Sequence, residues 1–494
     1  MHIAFLNPQG NFDPHDRYWT EHADFGGQLV YVKEVALAMG RAGHKVDILT
    51  RRIIDPNWPG FEDEIDGYPN EPNVRIVRLP CGGMQFLRKE ALWPFLGTEW
   101  VPNIIEFYQR DGGMPDVATT HYADGGLSGA LWRQSEAIPF TFTGHSLGAQ
   151  KLNRLLAKGE QSLAQLDEEF LFRRRLAAER ISMNHAARVI TSTEQERREQ
   201  YGHPAYQGAV DPGNDERFSV IPPGVNLKIF DAEVELEGEV KVKEHLDQVF
   251  ERDLAPERQK LPGILSSSRL DPKKNLLGLV EAFAGSAELQ RAANLLIVLR
   301  GQDDLHGRQG LNETERAILD QVEALCDEHD LWGKVSGFSL GSQAELAAAY
   351  RYLSGQRSVF ALTALYEPFG LAPLEAIAAG LPAVVTQNGG PSESLKENDT
   401  EYGVLVDPND PADIASGILR LVGSEKTWRE FRQRGRKRVL DYYTWEQTAE
   451  GYLEVLAKIE ATSEIKPTIE IPPYFTDPSA ANDLSRDRLE QVWG

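Results

Sequence analysis

"SVFALTALYEPFGLAPLEAIAAGLPAVVTQNGGPSE", residues 358–393, carries in one stretch the pattern on which the whole chain is built. "SVFALTA" and "PAVVT" are short, continuous apolar runs of the kind found in strands buried on both faces. Between them lies a helix-forming run, with Pro368 expected at its first turn, where the missing N–H costs nothing. Strand, helix and strand in so short a span predict parallel pairing, because the helix supplies the crossover.

The same alternation extends in both directions. In the first half "HIAFLNP", "KVDILTR", "VRIVRLP", "VATTHYA", "PFTFTGH", "RVITST" and "FSVIPPG" read as strands. The amphipathic runs "LVYVKEVALAMGRAG" and "FRRRLAAERISMNHAA" are among the helices between them. In the second half "GILSSSR", "NLLIVLRG", "KVSGFS", "SVFALTA", "PAVVT" and "GVLVDP" repeat the architecture without repeating the sequence. "SQAELAAAYRYL" opens on Ser342 and Glu345, the spacing of a capping box. The break falls in a Pro- and charge-rich stretch at about residues 222–262. Three helical stretches follow the last strand and end near Ala461, and a polar tail is expected to lie along the surface. At 494 residues, and roughly 100–200 residues per domain, two α/β domains are expected. Doubly wound sheets bind ligands at the C-terminal ends of their strands, so a cleft between the two domains is the place to look for chemistry.

Bulk composition narrows the classes of function. The net charge of −23 argues against nucleic acid, so an anionic substrate would bind only where cations are gathered. No apolar run approaches the roughly 18 residues of a membrane span, and "MHIAFLNPQG" reads as a strand rather than a leader. Two distant cysteines, Cys81 and Cys326, suit a reducing cytoplasm and exclude a disulfide scaffold.

Three stretches carry candidate chemistry. In "DFGGQLVYVKEVA" (24–36), Gly26 and Gly27 let a ligand approach the backbone where a helix begins and its amides are free. In "SSSRLDPKKN" (266–275), Arg269 and Lys274 emerge from a strand end. A guanidinium and an ammonium there can hold a diphosphate and stabilise its departure without a metal. In "LYEPFGLAPLE" (365–375), the amides of Phe369, Gly370, Leu371 and Ala372 can meet a phosphate or sugar hydroxyls. Glu367 can accept from sugar hydroxyls, and Glu375 from a ribose diol. A fourth stretch, "GHSLG" (144–148), matches the G-x-S-x-G turn of serine hydrolases. That alternative, with Ser146 as nucleophile, lacks an identifiable acid–histidine pair and an oxyanion segment.

On the E-x₇-E spacing of Glu367 and Glu375, the Arg269…Lys274 pair and the Gly-Gly loop, the chain resembles the retaining GT-B glycosyltransferases. "RKEALWPFL", "THYADGGLSGALW", "TFTGHSLGAQKLNRLLAKG" and "FRRRLAAERIS" add to the resemblance, which runs from residue 1 to about 461. It implies two Rossmann-like domains facing a deep cleft. Residues 1–225 would bind the acceptor and 226–444 the nucleotide sugar. Helices at about 445–461 would cross back to the N-terminal domain, with the tail 462–494 packing on it. A compact bacterial form is expected, without the extra N-terminal region and the phosphatase-like C-terminal domain of plant members.

The resemblance further implies a cytoplasmic hexosyltransferase of sucrose biosynthesis that moves glucose from UDP-glucose to fructose 6-phosphate with retention, giving sucrose 6-phosphate and UDP. His145 would contact the glucose, and Glu367, Arg269 and Lys274 would share the catalytic work. Gln28, Lys89, Tyr122, Ser146, Lys151, Arg174 and Arg175 would bind the acceptor, with Arg173 leaving the register of the arginine pair open by one residue. No cofactor and no metal are implied, and a separate phosphatase acting on the product is a candidate partner. Use of unphosphorylated fructose by a synthase accepting UDP- or ADP-glucose, and mannosyl transfer from GDP-mannose, remain the neighbouring alternatives.

Overall fold

The apolar runs become the strands of two parallel sheets in the computed structural model, which describes residues 1–19, 25, 27–462 and 465–494. Contacts divide the chain into two units, Met1–Pro222 with Trp445–Gly494, and Pro223–Thr444.

The first unit holds β1 (His2–Leu6), β2 (Lys45–Arg51), β3 (Ile65–Gly67), β4 (Val74–Leu79), β5 (Val117–His121), β6 (Phe140–Thr143), β7 (Arg188–Thr191) and β8 (Phe218–Val220). Their order is β3-β4-β2-β1-β5-β6-β7-β8. Every neighbouring pair is parallel except the edge pair β3–β4. The chain starts in the middle, at β1, moves one way through β2 and β4, then returns to β5 and moves the other way. The switch point therefore lies between β1 and β5, and the loops that follow these strands diverge around it. Apolar clusters cover both faces of the sheet.

The helix Trp445–Thr462 belongs to this unit and closes one face. Trp445, Tyr452 and Leu456 pack with Phe5, Val32, Val35 and Ile190, each large side chain contributing about 1.5–3 kcal/mol by burial. The Tyr452 hydroxyl meets those of Tyr31 at 3.1 Å and Thr143 at 2.7 Å.

The second unit holds β9 (Gly263–Ser267), β10 (Asn294–Leu299), β11 (Val335–Ser339), β12 (Val359–Leu362), β13 (Ala383–Thr386), a small hairpin β14 (Lys396–Glu397) and β15 (Thr400–Glu401), and β16 (Val404–Val406). The main sheet runs β11-β10-β9-β12-β13-β16, all parallel, with its switch point between β9 and β12. Among the described residues no helix is long and apolar enough to cross a membrane.

Three local expectations need correction. The helix expected to open at Pro368 begins at Leu371, because Gly370 takes a left-handed conformation (φ 93°) just before it. Ser342 caps its helix by accepting from the Glu345 amide, but the Glu345 carboxylate reaches the amide of Gly341 rather than that of Ser342, so the box is not closed. The tail does more than lie on the surface: Tyr474, Phe475 and Leu489 are buried in the core of the first unit.

Candidate active site

In the second unit the switch-point loops are tied together by backbone and amide bonds. After β9 the chain makes a short turn, Pro272–Lys274, capped by Asp271, and Asn275 follows in a left-handed conformation. The Asn275 side-chain amide donates to the carbonyls of Thr363 at 3.0 Å and Pro408 at 2.8 Å, and the Leu365 backbone amide donates to the Lys273 carbonyl. This places Lys274 against the loop after β12, where its ammonium donates to the Glu367 carboxylate at 2.6 Å. The pair is partly exposed, at 24% and 14%, so an incoming anion can compete with Glu367 for the cation.

Glu367 is itself held from behind. Its amide donates to the Asn388 carbonyl, and its carbonyl accepts from Gly390 at 3.0 Å. A Cβ on Gly389 would stand 2.1 Å from the Glu367 carbonyl oxygen, and its φ of +101° suits only glycine, so "NGGP" is the backing of this loop. Leu371 then starts the helix whose first turn leaves amides without intrahelical partners. Phe369, Leu371 and Ala372 are half-buried there. Burial pushes the Glu375 carboxyl, one turn further in, up to about 7, which keeps it protonated through a good part of the neutral range. Arg269 is exposed on the loop after β9 and has no side-chain partner among the described residues. Cations, helix amides and carboxylates thus share one switch point, a composition that can take a diphosphate together with sugar hydroxyls.

In the first unit the loop after β6 presents His145, not Ser146, at its bend: His145 is the residue with positive φ (54°). The Nε2 of His145 lies 2.9 Å from Nδ1 of His121, the last residue of β5. Tyr31 meets the His145 ring edge-on at 4.9 Å, and His121 stacks on Phe5 at 5.5 Å. Burial lowers His145 to about 4 and His121 well below its ordinary range, so both rings are neutral at pH 7. The His145 ring is therefore engaged with His121 rather than with the neighbouring hydroxyl, and the hydrolase alternative has no catalytic histidine here.

Behind the loop sits a buried ion pair. Arg175 donates through Nε to Glu179 at 2.9 Å and through Nη2 to the Ser146 carbonyl. Glu179 also accepts from the Gly148 amide at 2.8 Å and the Tyr206 hydroxyl at 2.5 Å. Burial raises the Glu179 carboxyl, and the Arg175 guanidinium beside it works against that rise. The Arg175 guanidinium lies over the Tyr122 ring at 4.7 Å. Tyr122 starts its helix directly after β5 with a left-handed φ of 67°.

Lys89, Tyr122 and Arg175 line one pocket with Gln9, Glu90, Trp93, Asp124 and Phe170, and the Lys151 ammonium sits 3.9 Å above the Phe170 ring. The structure thus gathers Lys89, Tyr122, Arg175 and, over Phe170, Lys151. Ser146 contributes its carbonyl to the Arg175 anchor. Arg174 is the exception. It pairs with Asp483 at 3.0 Å and stacks on Tyr474 at 4.3 Å, while Arg173 bonds Asp167 and Asp483, so both point at the tail rather than the pocket. Of the three arginines in "RRR", Arg175 is the one that lines the pocket.

Gly27 opens the helix Gly27–Arg41, and a Cβ on it would meet no atom of the described residues within 4 Å, so packing among them does not require glycine there. Gln28 follows half-buried. Gly26 lies outside the described residues. Among the described residues no group of three or more His, Cys, Asp and Glu is placed to hold a metal ion. His121 was missed by the sequence reading although "THYADGG" was singled out; its signal was a histidine at the end of a switch-point strand.

Comparison with known proteins bears on both units. Residues 26–210 match a "Glycosyl transferase 4-like domain" model and 248–438 a "Glycosyl transferases group 1" model. The chain is 42% identical over 458 residues to the protein of Thermosipho melanesiensis named "Probable sucrose-phosphate synthase", covering 93% of this chain and 97% of that one. It is 33% identical to the sucrose-phosphate synthase of Zea mays, covering 92% of this chain but 47% of the plant protein, so it spans about half the length of that relative. Among solved structures, the sucrose-phosphate synthase of Thermosynechococcus elongatus superposes with a TM-score of 0.61 at 25% identity, over 94% of this chain and all of that one. Two GT-B-type sheets, switch-point loops bearing cations and carboxylates, and this level of identity along nearly the whole chain lead to one assignment: the chain belongs to the sucrose-phosphate synthase family of glycosyltransferases.

Proposed function

We propose that the protein transfers glucose from UDP-glucose to fructose 6-phosphate with retention of anomeric configuration, releasing sucrose 6-phosphate and UDP. The observation that carries this reading is the pocket of the first unit, which Lys89 and Arg175 line with Tyr122 and Phe170, with Lys151 over the Phe170 ring. A phosphate on the sugar would add charge-assisted hydrogen bonds to these cations that an uncharged fructose cannot make.

The donor belongs to the second unit in this reading. Lys274 and Arg269 take the diphosphate, the amides of Phe369 to Ala372 assist, Glu375 accepts from the ribose diol, and Glu367 from glucose hydroxyls. Gly26 and Gly27 offer further amides to the diphosphate, His145 contacts the glucose, and Gln28 and Ser146 complete the acceptor pocket. In the transfer step the bond from the glucose anomeric carbon to the diphosphate oxygen breaks, and the bond to the fructosyl hydroxyl forms on the same face. The hydroxyl proton passes to the departing diphosphate, whose growing negative charge Lys274 and Arg269 stabilise. Neither a metal nor a cofactor takes part in the chemistry as proposed. The product retains its phosphate, so a separate phosphatase would have to act next to yield the free disaccharide. The two buried, free cysteines suit the cytoplasm, where we place the reaction.

The test is a panel: UDP-, ADP- and GDP-glucose and GDP-mannose, each with fructose or fructose 6-phosphate, with and without a chelator, following nucleotide release and identifying the product. Release restricted to UDP-glucose with fructose 6-phosphate, unaffected by chelation, is expected. Equal release with fructose, or a preference for GDP-mannose, would replace the reading with one of its neighbours.

A further inference from the structure

The histidine that the mechanism uses is bonded to one it does not, and the hydroxyls behind the second ring decide how the first is protonated. Thr119 on β5 is fully buried. Its Oγ1 accepts from the Thr141 hydroxyl at 2.9 Å and lies 3.3 Å from Nε2 of His121. One lone pair of Thr119 Oγ1 is taken by Thr141, and His121 Nε2 is the acceptor within reach of the Thr119 hydroxyl hydrogen. With a proton on that nitrogen instead, the second lone pair of Thr119 Oγ1 would accept it, but the Thr119 hydroxyl hydrogen would lose that acceptor in a dry interior, a state disfavoured by roughly tenfold or more. His121 is neutral, so its one ring proton then sits on Nδ1 and points at His145 Nε2, which must accept. His145, also neutral, then carries its own proton on Nδ1.

We propose that His121 is a positioning residue that fixes His145 as the Nδ1–H tautomer, so that His145 offers the transferred sugar a hydrogen-bond donor and not an acceptor. The identity of what His145 meets rests on the glucosyl transfer proposed above; the tautomer does not. Thr141, Thr119 and His121 lie on β6 and β5, two paired central strands of the sheet, so the direction of the hydrogen bonds that reach His145 in the loop after β6 is set by the scaffold.

The test reads the tautomer directly. The full-length protein, labelled with ¹⁵N in histidine, is examined at pH 7 by long-range ¹H–¹⁵N correlation, with the His145 signals identified by their loss in His145→Gln. A protonated Nδ1 and a bare Nε2 on His145 are expected. Thr119→Val keeps the shape of the site and removes the donor, and should let the other tautomer rise by roughly tenfold. His121→Leu should release His145 altogether, whereas His121→Asn, whose side-chain amide can stand where Nδ1 stood, should hold the Nδ1–H form. A protonated Nε2 on His145 in the parent, or a tautomer unmoved in both Thr119→Val and His121→Leu, would overturn the proposal. If His121→Leu does not fold, Thr119→Val alone decides it. The expected tautomer in a protein that releases no UDP would leave the positioning role standing and sink the proposed reaction instead.

Discussion

Glu179→Gln is the perturbation whose consequence can be worked furthest from the structure. The carboxylate is 1% exposed and accepts from the Arg175 guanidinium, the Gly148 amide and the Tyr206 hydroxyl. The amide keeps the size but removes the charge, leaving the Arg175 guanidinium, 5% exposed, without its counter-ion. Breaking one partner of a buried pair costs about 3–5 kcal/mol. For a unit of this size that corresponds to a fall in melting temperature of roughly 6–20 °C. Because the same guanidinium holds the Ser146 carbonyl and covers Tyr122, the KM for fructose 6-phosphate should rise while that for UDP-glucose stays put. Differential scanning calorimetry and initial rates with each substrate varied check both parts. A further variant, Arg175→Met with Glu179→Leu, should recover most of the stability but not the acceptor affinity. A Glu179→Gln protein that melts within a degree of the parent would refute the reasoning, because Arg175 would then not depend on its buried partner.

Other outcomes follow from the same geometry. Lys274→Ala should lower kcat by roughly 10²–10³, by comparison with about 3–4 kcal/mol for the loss of one oxyanion donor, measured as UDP release at saturating substrates. Glu375 should release a proton when the nucleotide binds near pH 6–7: ribose hydroxyls donating to its carboxylate favour the ionised form and pull its pKa down from about 7. Titration calorimetry in two buffers of different ionisation enthalpy reads this, and equal heats would contradict it. The folded pKa lies above the unfolded one, so the ionised carboxylate weakens the fold as pH rises from the ordinary carboxylate range through 7, and Glu375→Gln should remove that pH dependence. Asp483→Asn, at a half-exposed site, should cost about 1 kcal/mol or less of stability and leave the acceptor KM unchanged, as should Arg174→Ala.

The sheets were legible because most strands are short runs of apolar and β-branched residues, a composition that burial on both faces favours, although β5 (VATTH) and β6 (FTFT) carry buried polar residues. The strands that escaped, β3 and the hairpin of β14 and β15, are two or three residues long and lie at an edge or outside the main sheets, where no such demand exists. The helix start was misplaced by three residues because Pro368 is a permissive signal, whereas the left-handed Gly370 that sets the start is a conformation and not a composition. Arg269, Lys274, Glu367 and Glu375 were singled out because strand-end loops and a fixed spacing mark them. That Arg174 turns away from the pocket was not readable from "RRR", since it pairs with Asp483, 309 residues away. His121 stayed hidden for a related reason: its partner is 24 residues further along and meets it only once β5 and β6 pair.

The central claim is that cations of the first unit read a phosphate on the acceptor. The ratio of kcat/KM for fructose 6-phosphate to that for fructose measures this most directly. Two charge-assisted hydrogen bonds at about 1.5–3 kcal/mol each predict a ratio of roughly 10²–10⁴, collapsing toward unity when Lys89, Lys151 and Arg175 are neutralised together. A parent enzyme that turns over both sugars with equal efficiency would contradict the account.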